Sequence, residues 1–415
     1  MGKNNLEVYS INEQQTFPCY QIEKLKELKL DPPQNDKDVR YLGLDPNNFS
    51  VKFYIGIDWL QENKNYIVVH PKIENLDYVR MFIHCLHHPE ISPFLKDVYH
   101  FDFTKTNIKP ETIEWELTPF MLVHFLSLID KIVTQGLKKN YTVIEENLNS
   151  KVKGKIIWPR QIKKNIAGKR EDRAYCRYQE YSVDCWENRL LKKALLFVER
   201  YSTKYLKQYP DFIRKQNRLL SAFDNVSQDI SYSEIKRVKV NSLYKEYVEA
   251  IELAKQILRR FGYSFKKADD KTIDKELPPF WIDMSKLFEL YVYSLLSDQY
   301  GKAILYQPHG EYGYVDFLKK DNNQDGKLII DTKYKTDYDN NRYEIEDIRQ
   351  LSAYARDRGV LNKLSIDSDK VVVNCVIIYP TEDEKQKDFK HRDLKCKPID
   401  GFTRFYKCGI KLPIK

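Results

Sequence analysis

Three residues in the C-terminal third have the types and spacing that phosphodiester chemistry needs. Asp316 ends the apolar-flanked run Tyr314-Val315-Asp316, and Asp331 and Lys333 lie two apart in the run LIIDTK, 328–333. Both runs read as strands. Side chains alternate along a strand, so Asp331 and Lys333 project to one side with Ile329 behind them, while Leu328 and Ile330 face the other. Two carboxylates converging from paired strands make a hard oxygen site suited to Mg2+. A lysine beside it can orient or deprotonate a water and stabilise charge on a phosphate. An isolated D-x-K on a strand is usually solvated surface. Here the strand is otherwise apolar, so its Asp borders a site rather than decorating an open face. Glu289 stands at the edge of the apolar stripe of the preceding helix. Gln350 and Tyr354, four apart on the following helix, share one face. Alone, that pair would be ordinary helix surface.

The elements that must position these residues follow from periodicity. Met284, Leu287, Phe288, Tyr291, Val292 and Leu295 recur at helical spacing and predict a helix from about Ser285 to Tyr300. Strands are expected at 303–307, 312–320, 327–335 and 371–380, with a helix around 345–358. The run KKDNNQDGK, 319–327, reads as a hairpin connection. The order α-β-β-β-α-β gives an α/β core with a mixed sheet. Upstream, residues 1 to about 115 read as short β-type runs, clearest at 51–60 and 66–73 with Asn63-Lys64-Asn65 as the turn between them. A helix is expected from Thr118 as N-cap, with Pro119 at its first position and Gly136 as its stop. Amphipathic helices follow at 186–206 and 242–262, separated from the first by the basic stretch 147–170. The charged, two-proline run KKADDKTIDKELPPF, 266–280, marks the main boundary. The expected fold is α+β overall in three parts: a β-rich region 1–115, a mainly helical region 116–268, and an α/β domain 269–415.

Composition narrows the class. With 415 residues, 42% hydrophobic and 13% aromatic, the chain builds real cores, and 14 Gly with 17 Pro exclude fibrous and linker-rich classes. The net charge of +9 is compatible with a nucleic-acid partner without requiring one. Seven scattered cysteines, never spaced C-x-x-C, argue against a zinc ribbon and a disulfide framework. His84 and His88 lie at i and i+4, but no nearby carboxylate pattern completes a zinc site, so the run HCLHH, 84–88, reads as a surface or partly buried helix. The start MGKNNLEVYSINEQQ lacks an apolar signal core. Phe120–Val133 is too short and too polar to span a bilayer. A cytoplasmic protein without a membrane partner is expected.

Glu289 on a helix, Asp316 on a strand, Asp331-Thr332-Lys333 on the next and Gln350-x-x-x-Tyr354 on the following helix resemble the PD-(D/E)xK nuclease superfamily, in the branch with a QxxxY motif. Val315 stands where that superfamily often has proline, a variable position that carries no ligand. The chain further resembles the McrC family, nuclease subunits of modification-dependent McrBC restriction systems. The blocks KVKGKI (151–156), WENRLLKKAL (186–195), DMSKLFELYVYSLL (283–296), LIIDTKYK (328–335), RQLSAY (349–354) and VIIYP (376–380) are similar to that family's blocks, in the same order. The likeness spans roughly 116–380 and leaves 1–115 unassigned.

The resemblance implies a 5-methylcytosine-dependent endonuclease that uses Mg2+, or Mn2+ in its place. Asp316, Asp331 and the Thr332 backbone carbonyl would hold the metal, and Glu289 would add a ligand directly or through water. Lys333 would prepare the attacking water, positioned with the DNA backbone by Gln350 and Tyr354. It implies a McrB-like AAA+ GTPase hexamer as partner, which reads the methylated DNA and binds GTP. In agreement, the chain has no G-x-x-x-x-G-K-[ST] phosphate loop. The part before the nuclease domain, 1–115 included, would dock on that partner and stimulate its GTPase. Lys151, Lys153, Lys155, Lys335 and Arg349 are candidate DNA or partner contacts. Two other functions remain open: a stand-alone repair-type nuclease with the same core, and a non-catalytic adaptor that activates an AAA+ partner.

Overall fold

The strand LIIDT, Leu328–Thr332, is buried from Leu328 to Asp331 and sits inside a six-stranded mixed sheet. Its neighbours are Phe317–Lys319, antiparallel, and Asn374–Thr381, parallel. Ile304–Tyr306 extends the first side, and Phe405–Lys411 with Lys397–Pro398 the other. All eight residues of Asn374–Thr381 are buried, as a parallel strand covered on both faces requires. The structure is a computed structural model and describes all residues except 1–5, 33–37, 87, 89, 103, 110–117, 206–209, 231–244, 263–277, 337, 339–342, 367–370, 382–388 and 390–391.

Two helical layers cover this sheet. Ile329, Leu318, Ile377 and Val315 pack with Ile348 and Leu351 of helix Ile345–Tyr354 and with Val360 and Leu364 at helix Arg358–Lys363. Toward helix Met284–Tyr300, Tyr293 stacks on Tyr306 at 4.6 Å and tilts over Phe317 at 5.8 Å. Asp283 caps that helix by accepting from the Lys286 N–H at 2.9 Å. The helix expected over 345–358 is two helices. Asp357 accepts from Val360 N–H at 3.1 Å and starts a new N-terminus there.

Contacts group the chain into two units, Met1–Glu111 with Glu276–Lys415, and Thr112–Lys275. The sequence reading places 1–115 and 269–415 in separate parts. Backbone pairing joins them: Phe280–Asp283 inserts between Tyr54–Gln61 and Tyr99–Phe101 and completes a five-stranded sheet with Glu7–Asn12 and Asn65–His70. Gly56 makes this possible. A Cβ there would sit 2.1 Å from the Phe280 carbonyl oxygen, at φ +147°. The N-terminal part also holds helices Cys19–Glu27 and Tyr78–Cys85. Among the described residues, no helix is long and apolar enough to cross a membrane.

The second unit packs helices Thr118–Gln135, Trp186–Tyr205, Pro210–Ala222 and Lys245–Gly262 around Leu190, Leu191, Ala194, Leu195 and Val198. The side chains of Thr118 and Pro119 lie outside the described residues. Helices make up most of this unit's described residues, and the sequence reading missed the strands beside the basic stretch 147–170. Asn140–Asn149 and Arg173–Ser182 form a ten-residue antiparallel ribbon, with Lys155–Ile156 as a short third strand. No residue of Asn140–Asn149 is buried, so no period-two contrast in hydrophobicity marked it. The Asn-Arg pair of the WENRLL block roots this ribbon. Buried Asn188 donates to the Lys138 and Val183 carbonyls at 2.9 and 2.7 Å and accepts from Tyr247 at 2.9 Å, while Arg189 forks onto Asp184.

A buried polar group ties the N-terminal sheet to the LIIDTK segment. Tyr334 Oη donates to Glu13 Oε1 at 3.0 Å, and Lys72 lies 3.9 Å over the Tyr334 ring while donating to its carbonyl. Burial pushes the Glu13 carboxyl up to about 7, with Lys72 opposing. An acid raised in the folded state costs nothing while both states hold the proton; the cost grows as the unfolded chain ionises and is full above the raised value. Between its ordinary 4.5 and about 7, Glu13 should therefore remove stability, about 3 kcal/mol in all. Thermal unfolding of the wild type and of Glu13→Gln, at about pH 5 and about pH 8, should show a flatter pH dependence in the variant. Equal slopes would exonerate Glu13.

Candidate active site

The pairing of Phe317–Lys319 with Leu328–Thr332 sets the geometry. Phe317 faces Ile330, so one further step of the register places Asp316 opposite Asp331. Asp316 thus precedes its strand instead of ending one, because 312–316 is an irregular approach with a single bridge from Tyr314 to His309. Thr332 locks it in place: its N–H and Oγ1 donate to Asp316 Oδ2 at 2.7 and 2.6 Å.

Asp331 is 2% exposed. Its buried Oδ2 accepts no well-aligned hydrogen bond, although the Lys333 ammonium lies 2.8 Å away as an ion pair. Burial, reinforced by Asp316 and opposed by Lys333, pushes its carboxyl up to about 7. Lys333 Nζ donates to Gln350 Oε1 at 3.0 Å and lies 3.6 Å from Asp347. Gln350 Nε2 in turn donates to Tyr354 Oη at 3.2 Å. Burial alone would lower the Lys333 ammonium, but Asp331, Asp347 and Asp316 outweigh it and hold it above its ordinary value. Lys333 is therefore a cation at neutral pH.

Glu289 projects from the other helical layer. It accepts from Lys286 Nζ at 3.1 Å and Gln307 Nε2 at 2.9 Å, and Lys286 also donates to Tyr306 Oη at 2.8 Å. Burial raises its carboxyl, and Asp316 raises it further. The structure thus brings together Glu289, Asp316, Asp331, Thr332, Lys333, Gln350 and Tyr354 from four elements. Glu289 and Asp331, each raised by burial and by the charge of Asp316, offer with Asp316 oxygen donors of the kind a hard divalent cation takes.

Two residues of this network are missing from the sequence reading. Asp347, buried, accepts from Tyr338 Oη at 2.5 Å and Lys335 Nζ at 3.1 Å. Lys286 neutralises Glu289. Both were legible as i, i+3 neighbours, of Gln350 and Glu289 respectively. Lys335 pairs with Glu344 and Asp347, and exposed Arg349 pairs with Glu346. Lys151, Lys153 and Lys155 belong to the second unit, all exposed, with Lys153 4.2 Å over the Tyr178 ring.

A family model described as "McrBC 5-methylcytosine restriction system component" matches residues 50–362, about three quarters of the chain. The match starts well inside the N-terminal region that no sequence block assigns. No curated protein matches the chain. Similar solved structures include a half-complex from a tetradecameric assembly of Thermococcus gammatolerans McrB AAA+ hexamers with bound McrC: 15% identity, 97% of this chain and 94% of that chain covered, TM-score 0.38. Another is the cryo-EM structure of the Thermococcus gammatolerans McrBC complex, at 16% identity, 70% and 87% coverage and TM-score 0.31. Likenesses this weak carry no argument about fold or partner. The match over most of the sequence does carry one: the chain belongs to the family of McrBC 5-methylcytosine restriction system components.

Proposed function

We propose that this chain is the Mg2+-dependent DNA endonuclease subunit of a 5-methylcytosine-dependent restriction system, with a PD-(D/E)xK-type core, active in the cytoplasm. A McrB-like AAA+ GTPase hexamer would activate it, and the chain would stimulate that GTPase in return. Asp331 supports this reading most directly. It is a carboxylate only 2% exposed, opposite Asp316, with the Lys333 ammonium 2.8 Å from its Oδ2.

Asp316, Asp331 and the Thr332 carbonyl would hold the ion, with Glu289 as a further ligand directly or through water. Bound there, Mg2+ would polarise the scissile phosphate and acidify a water. Lys333, kept protonated by three acids, orients that water and faces the charge that develops on the phosphate. Gln350 holds Lys333 and is itself held by Tyr354, so both act as positioning residues. They also line a surface cleft with Tyr312, Arg356 and Arg358, whose two positive charges are matched there by Glu311 and Asp357. Lys335 and Arg349 are paired with acids of the same helix region, so any phosphate they meet must displace Glu344 or Glu346.

Cleavage of methylated and unmethylated plasmid with Mg2+, with and without the AAA+ partner and GTP, tests the reading. Asp331→Asn should lower kcat on the order of 1,000-fold while GTPase stimulation persists. Cleavage without partner would favour a repair-type nuclease, and stimulation without any cleavage an adaptor. Gln350→Ala, which frees Lys333 without touching a ligand, should lower kcat about 10–100-fold and leave KM nearly unchanged. A wild-type kcat in that variant would remove Gln350 from the mechanism.

A further inference from the structure

A second cluster of metal-ligating side chains lies away from those acids, and the fold supplies the carboxylate that the sequence run 84–88 lacks. Helix Tyr78–Cys85 packs against helix Met284–Tyr300, which brings Asp298 to His84 and His88. Asp298 Oδ2 is 3.8 Å from His84 Nε2, and Oδ1 is 3.3 Å from His88 Nε2. The three groups offer ligand atoms that all lie within 4.8 Å of one another.

The far ring nitrogens have partners of their own. Ser294 Oγ donates its single proton to the Tyr291 carbonyl at 2.6 Å, so toward His84 Nδ1, 2.8 Å away, it accepts. His84 Nδ1 therefore carries the proton, and in the neutral ring Nε2 presents its lone pair toward Asp298. His88 has a carboxylate at each ring nitrogen, Glu90 Oε1 3.6 Å from Nδ1 and Asp298 Oδ1 3.3 Å from Nε2, so Glu90 is placed to accept from Nδ1–H once a metal takes Nε2. Metal-ligating histidines are held in this way, by a hydroxyl, carbonyl or carboxylate on the far nitrogen. The side chains of His88, His84 and Asp298 are 13%, 33% and 53% exposed, so the site is closed behind His88 and open toward His84 and Asp298.

We propose that His84, His88 and Asp298 bind a Zn2+-class transition-metal ion, with a fourth position open to water, and that this ion clips helix Tyr78–Cys85 to helix Met284–Tyr300. Tetrahedral bonds of about 2.1 Å space ligand atoms about 3.4 Å apart, which the two measured nitrogen–oxygen separations bracket. Two imidazoles select against Mg2+, whereas the oxygen donors around Asp331 select for it, so the two sites sort different ions. The clipped helix also carries Glu289, so the ion would brace the element that completes the acidic cluster.

The test uses the full chain, stripped with chelator and titrated with Co2+ and then Zn2+. One Co2+ per chain should give the strong visible absorption of a four-coordinate site, be displaced by Zn2+, and resist excess Mg2+. Saturating Zn2+ should raise Tm by several degrees. His88→Gln and the largely exposed Asp298→Asn should each weaken binding on the order of 100-fold, while Asp331→Asn keeps it. The proposal fails if wild-type protein shows no saturable binding at about 0.1 mM Zn2+. It fails equally if Asp298→Asn and His88→Gln bind as tightly as the wild type, which would place the ion elsewhere and leave Asp298 as a plain ion-pair partner of the two rings.

Discussion

A carboxylate taken out of water must gain a proton, a cation or several hydrogen bonds. Asp331 is buried at the end of an apolar strand, and a single ammonium meets its Oδ2. Much of the surrounding arrangement follows from that constraint. Lys333, two residues on, supplies the nearest positive charge, and Asp347 and Gln350 from a separate helix hold it there. The neighbouring parallel strand must be apolar on both faces, since helices cover each side. Asp316 comes opposite through register, and its negative charge deepens the need for a cation. Lys333 answers part of that charge from 2.8 Å, and the proposed metal ion would answer the rest.

The N-terminal part shares in holding this arrangement. Tyr334 follows Lys333 directly, and Glu13 and Lys72 grip it from the five-stranded sheet. Phe280–Asp283 pairs in that sheet, and Asp283 then caps the helix bearing Glu289. Both arms of the acidic cluster are thus anchored in structure that residues 7–101 build. Leaving a buried acid such as Glu13 in that anchor costs stability at neutral pH, and the hydrogen bond to Tyr334 is what it returns.

In the second unit the WENRLL block has a plain structural role. Asn188 satisfies two backbone carbonyls where the ribbon meets the helices, and no apolar residue could replace its paired donors and acceptor. Gly154 of the KVKGKI block lies at φ +70° with the Arg177 carbonyl 2.5 Å from where a Cβ would be, so a side chain has no room there.

Local signals were enough to read much of this from sequence alone. The period of Leu287, Phe288, Tyr291 and Val292 marked the helix that carries Glu289, and two-residue alternation put Asp331 and Lys333 on one side. The i, i+4 spacing paired Gln350 with Tyr354. These survive because helix and strand periods are properties of the backbone itself. What tertiary structure alone decided depends on partners distant in sequence. Phe280–Asp283 joins a sheet begun more than 200 residues earlier, because edge hydrogen bonds are indifferent to chain distance. The strand Asn140–Asn149 buries no residue fully on either face, so no hydrophobic pattern announced it. Asp357 broke a helix through a cap that competes with continuation. Asp298 reached His84 and His88 only because two helices pack together, and a carboxylate 210 residues away leaves no trace in the spacing of the histidines themselves.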